Sequence, residues 1–167
     1  MTRSTRVLAA VALACVAAVA VAVVSQYGYD MQPCPWCVLQ RLIAIGVALA
    51  CVVALVWRSA RGRSVGSGVA LLLALAGVAA ALWQHFQAAA SASCNLTLAD
   101  KIVSRWLHLD SLLPAVFEAR ASCADAAVSM LGVPYDFWSL ALFAASALAL
   151  ASLLAAPPTA ASAASGA

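Results

Sequence analysis

Charge is what this sequence most conspicuously lacks. Only 9% of its 167 residues are Asp, Glu, Lys or Arg, where a soluble domain carries about a quarter. So few charges cannot cover a globular surface in water. Aromatic residues, at 7%, are also sparse, and the net charge of +3 is too small to argue for a nucleic-acid partner. What fills the chain instead is apolar: 66% of residues are hydrophobic, so lipid is the expected solvent for most of it.

Four stretches approach or exceed the roughly 20 apolar residues that a bilayer crossing needs. They run from about Val7 to Val24, Val38 to Trp57, Val65 to Phe86 and Phe137 to Ala156, with no proline inside any of them. Because lipid satisfies no exposed backbone group, each is expected to be an α-helix. The expected fold is an all-α membrane protein, a four-transmembrane-helix bundle forming one domain over 1–156. An Ala/Ser-rich tail over 157–167 is expected to be disordered. Arg3 and Arg6 ahead of the first stretch resemble the start of a secretory signal. Its roughly eighteen uninterrupted apolar residues, however, exceed the usual core of about 7–15. Ala12-Leu13-Ala14-Cys15 is a poor lipoprotein cleavage site. The segment is therefore expected to stay as a helix.

The charges sort by loop. Arg3, Arg6, Arg58, Arg61 and Arg63 lie at the N-terminus and between the second and third stretches, where no acid occurs. All six acids, Asp30, Asp100, Asp110, Glu118, Asp125 and Asp136, fall in the other two connections. The positive-inside rule then sets both termini in the cytoplasm and turns the loops at about 25–37 and 88–136 outward. Of six cysteines, Cys34 and Cys37 fall in the first outward loop, and Cys94 and Cys123 in the second. An oxidising compartment on that side permits disulfides. Cys15 and Cys51 lie within helices and are expected to be small packing residues.

Cys34-Pro35-Trp36-Cys37 is a Cys-x-x-Cys pair, which serves redox exchange or metal binding. A zinc site would need Cys94 and Cys123 as well, yet these stand 29 residues apart rather than paired. Structural disulfides remain a second reading, although so tight a ring contributes little by chain entropy and suits a bond that opens and closes. Cys37 immediately precedes the second helix, where the helix dipole favours thiolate. Arg41 follows one turn deeper, a costly place for a charge unless it functions or snorkels. His85 sits near the outer end of the third helix, about 30 Å from its start, at a depth similar to Arg41. It is a second candidate donor beside the thiolate, or simply a member of an interfacial aromatic belt. In the second loop Ile102, Trp106, Leu109, Leu113 and Val116 recur at helical spacing. They suggest a short helix flat on the membrane or packed on the bundle, interrupted by Pro114.

This ordered set resembles the DsbB family of disulfide bond formation proteins: four membrane helices, Cys34 and Cys37 ahead of the second, Arg41 four residues on, His85 ending the third, and Cys94 with Cys123 in the second outward loop. The resemblance spans about residues 6–156. It implies a bacterial inner-membrane enzyme that reoxidises a DsbA-like thioredoxin-fold partner and passes the electrons to a quinone, ubiquinone or menaquinone. It further implies that reduced partner attacks Cys94, that Cys123 is the disulfide mate of Cys94 and exchanges with Cys34, and that Cys37 faces the quinone. Arg41 would polarise a quinone oxygen and His85 would line the same pocket. Two alternatives stay open: a vitamin K epoxide reductase-like quinone–thiol enzyme, whose Cys-x-x-Cys lies near the last helix instead, and a non-catalytic membrane protein with structural disulfides.

Overall fold

The computed structural model describes residues 2–57, 59–88, 98–126 and 128–155. Four long helices dominate them: α1 (Arg3–Gly28), α2 (Pro35–Val56), α3 (Ala60–Trp83) and, after four short helical turns, α7 (Tyr135–Leu154). Each is long and apolar enough to cross a membrane. Their outward faces stay apolar, with Leu13, Leu72 and Leu148 about 70% exposed, an arrangement stable only against lipid. The chain is a four-helix membrane bundle.

Small residues let the helices approach closely, as membrane packing requires. A Cβ on Gly66 would fall 2.7 Å from the Cβ of Ala54 on α2, and one on Gly77 would run into the Phe143 ring on α7. Helix α2 packs on both α1 and α3, while α7 lies on α3 and, more sparsely, on α1. The interior separates into two clusters. One fills the membrane centre with Leu8, Val11, Val47, Phe143 and Leu150, together with Cys15 and Cys51. The other lies at the loop-bearing end and contains Cys34, Trp36, Val103, Phe117 and Cys123.

Helix α2 starts earlier than the hydropathy pattern suggests, and this corrects the placement of Cys37. Pro35 occupies the first helical position, where its missing N–H is no loss, and Cys34 is the N-cap, its sulfur accepting from the Cys37 backbone N–H at 3.4 Å. Cys37 therefore lies inside the first turn rather than ahead of it. Helix α3 starts at Ala60, capped by the Ser59 hydroxyl, and its far end widens into one π-helical turn, Gln84–Ala88.

The long connection is more broken than one flat helix. It contains α4 (Leu98–Asp100), a π-helical turn Lys101–Trp106, α5 (Leu109–Leu112) and α6 (Pro114–Phe117). His108 takes a left-handed φ of 49° between the second and third of these, and Pro114 opens α6 at its first position. Ala99, Val103 and Phe117 turn inward, whereas Trp106 and Leu112 are exposed. A hairpin then pairs β1 (Ser129–Met130) with β2 (Val133–Pro134). Its two turn residues, Leu131 and Gly132, both have positive φ, as a type I′ turn demands.

Candidate functional site

Two loops are joined backbone to backbone beside the sulfurs. Arg120 N–H and Ala121 N–H both donate to the Pro33 carbonyl, at 3.0 and 3.2 Å. Tyr27 at the end of α1 donates to the Ala115 carbonyl at 3.1 Å. These ties bring Cys123 against Cys34, and both are fully buried. The Cys34 sulfur stands 3.1 Å from the Cys37 sulfur and within hydrogen-bond contact of the Cys123 side chain. Cys34 is thus the middle of three adjacent cysteines. Its thiol is pushed up to about 12, chiefly by the contact with Cys123; Cys37 acts the other way, and burial adds to the rise.

Cys37 opens onto a cavity of about 460 Å³ between α1, α2 and α7, roofed by the hairpin. Its walls toward the membrane centre are apolar, including Ala18, Val21, Leu142 and Phe143, while Cys37, Gln40, Arg41, Gln84 and Tyr135 gather at the loop end. Arg41 is 7% exposed. Its guanidinium donates to Gln26 Oε1 at 2.7 Å, to the Val116 carbonyl at 2.9 Å and to the Ala22 carbonyl at 3.2 Å. Those bonds use three of five N–H donors, leaving two uncommitted among the described residues. The same side chain therefore ties α1 to α6 and lines the cavity.

His85 lies elsewhere. Its Nδ1 is 2.6 Å from Asp136 Oδ2, its ring meets Phe86 and Phe137 edge-on, and it lines a small separate pocket. Asp136 lines both spaces, so His85 stands one residue behind the cavity wall. The polar residue of α3 that reaches the cavity is Gln84. It accepts from Gln40 Nε2 at 2.8 Å and donates to the Cys37 sulfur at 3.4 Å. The buried stripe Ala70, Ala74, Gly77, Ala81 continues at Gln84, whereas His85 is rotated about 100° from it. Following that stripe identifies Gln84 from sequence. Cys94 lies outside the described residues.

A quinone fits this cavity on the structure's own terms. An apolar slot between helices suits a lipid-soluble tail, and two free guanidinium donors with Tyr135 suit ring oxygens.

The model of the family "Disulfide bond formation protein DsbB" matches residues 4–153. The chain belongs to the DsbB family. It is 33% identical over 153 residues to the disulfide bond formation protein B of Polaromonas naphthalenivorans, covering 90% of both chains. It is 35% identical to that of Verminephrobacter eiseniae, covering 90% of this chain and 85% of the relative. To that of Herminiimonas arsenicoxydans it is 32% identical, covering 90% and 94%. This DsbB-family chain is accordingly a membrane-embedded disulfide oxidoreductase serving disulfide bond formation.

Proposed function

We propose that the protein reoxidises a DsbA-like thioredoxin-fold dithiol partner and delivers the electrons to ubiquinone or menaquinone in a bacterial inner membrane, with both termini cytoplasmic and the cysteine-bearing loops periplasmic. The observation that carries this reading is the position of Cys34, between Cys123 on one side and Cys37, at the mouth of the cavity, on the other.

Partner thiolate attacks Cys94 and expels Cys123, forming a mixed disulfide; the partner's second thiol then resolves it and leaves as the disulfide. Cys123 attacks Cys34 of the Cys34–Cys37 disulfide, so Cys37 is the sulfur released as thiolate. When Cys94 displaces Cys34 from Cys123, the loop disulfide is restored and Cys34 and Cys37 hold the electron pair. A thiolate displaces best when it is the more nucleophilic and the leaving sulfur the more stable. Cys34 is the sulfur in contact with Cys123, so attack falls on it and departure falls to Cys37. Bound quinone supplies a two-electron, two-proton acceptor. Arg41 would orient it through its uncommitted N–H groups, and the apolar walls would hold its tail. The charge pattern supports the orientation: no acid accompanies Arg61 and Arg63 at the opposite end of the bundle.

The test is quinol formation by purified protein given reduced thioredoxin-fold partner and quinone. Wild type should form quinol and Cys37→Ser should not. No quinol from wild type, or equal yield from Cys37→Ser, defeats the reading.

A further inference from the structure

Two neutral amides, Gln40 and Gln84, are buried to 5% and 6% exposure at the loop end of α2 and α3. Burying an amide is costly unless its bonds are made, and here they form one directed chain. Gln40 Nε2 donates to Gln84 Oε1, which fixes the Gln84 amide so that its Nε2 points at the Cys37 sulfur. Gln84 also begins the π-helical turn that ends α3, a local widening often found at functional sites. Among the described residues no other side-chain amide donates to that sulfur.

We propose that Gln84 is a catalytic hydrogen-bond donor to Cys37, and that Gln40 is the positioning residue that aims it. This rests on the reading of Cys37 as the sulfur that faces the acceptor. As the Cys34–Cys37 bond forms, both thiol protons and two electrons leave for the quinone. The Cys37 thiolate is the form that gives up the pair. A fixed N–H dipole aimed at the sulfur stabilises that charge without reorganising. Other groups near the sulfur are Cys34 at the N-cap of α2, Arg41 one turn along α2 and Tyr135 on α7. Asp136 on α7 lines the same cavity with His85 paired behind it, and α1 adds only the non-ionisable Ser25 among polar residues of the wall. The hydrogen bonds Arg41 makes among the described residues go to Gln26, Val116 and Ala22 and not to the sulfur, which leaves the amide as the direct donor.

The experiment uses reduced, quinone-free protein in lipid nanodiscs, in a Cys34→Ser background whose hydroxyl keeps the helix cap. Iodoacetamide reports the reactivity of Cys37, read by mass spectrometry of its peptide. Gln84→Met, close in size and without an N–H, should slow alkylation roughly tenfold near pH 7, the worth of one charge-directed hydrogen bond. Across a pH series the variant's rate profile should be displaced to higher pH with its alkaline plateau unchanged. Gln40→Met should slow the reaction near pH 7 by about threefold, a weaker effect because the donor survives but is no longer aimed. Gln84→Glu, which keeps the shape, should be at least as slow as Gln84→Met and serves if the methionine variant does not fold. An unchanged or faster rate near pH 7 overturns the proposal, since a faster one means the amide oxygen faces the sulfur. A lowered alkaline plateau with an undisplaced profile overturns it too, because access alone has changed. No quinone is present, so absence of quinol formation by wild type would defeat the proposed function and leave this result standing.

Discussion

Replacing Arg41 with Met separates what this side chain does for the fold from what it does for the cavity. The guanidinium makes three bonds, and removal strands Gln26 Oε1 and the Val116 carbonyl most severely, because the Ala22 carbonyl sits in a helix. Gln26 Nε2 already has no partner among the described residues, so the whole Gln26 amide would be left unpaired. Two stranded acceptors cost about 1–3 kcal/mol each. Against this, Met avoids the several kcal/mol of burying a cation. The two nearly cancel, so the bundle should melt within a few degrees of wild type. The function should not cancel. Loss of the two uncommitted donors removes at least one charge-assisted bond to a ring oxygen, about 1.5–3 kcal/mol, which is an increase of tenfold or more in the KM for quinone. Arg41→Lys keeps the charge but cannot span from α1 to α6 with one ammonium, and should fall between. The assay is quinol formation across a quinone titration, alongside thermal unfolding of the same preparations. A KM unchanged in Arg41→Met would refute the cavity role and leave Arg41 as a strap between α1 and α6.

Cys123→Ala should trap the thioredoxin-fold partner as a mixed disulfide through Cys94, visible on non-reducing gels; a crosslink through Cys34 would overturn the order of exchange. The raised Cys34 thiol keeps its proton in the folded state through neutral pH. Stability should therefore hold up to the ordinary value of 9.0 and decline as pH climbs toward about 12, measurable as a falling melting temperature in reduced protein. Trp36 buries its indole N–H with no partner among the described residues. Trp36→Phe should therefore leave stability unchanged or raise it by about 1 kcal/mol, and a loss beyond that would reveal packing that the phenyl ring cannot replace.

Long apolar runs made the bundle legible in the sequence, because a bilayer admits few alternatives. Element boundaries were less legible. Helix α2 begins at Pro35 because proline and a capping sulfur favour a start there, a local effect that hydropathy does not carry. The cysteines and Arg41 stood out as rare chemistry in an apolar chain. Gln40 and Gln84 did not, since an uncharged amide near a helix end resembles ordinary interfacial polarity until its partners are known. His85 drew attention by residue type, while the helical stripe pointed one residue earlier. The hairpin escaped because its turn is Leu131-Gly132, where hairpin signatures favour Asn-Gly, and its strands are only two residues each.

The double acceptance at Pro33 bears on how such a chain tolerates change. Both donors, at 120 and 121, are main-chain groups, so the alignment of Cys34 with Cys123 does not depend on which side chains occupy those positions. Those two hydrogen bonds survive any substitution there except proline, which has no N–H to give. The loops can thus be recoloured for different soluble partners over evolutionary time while the spacing of the buried sulfurs is inherited intact.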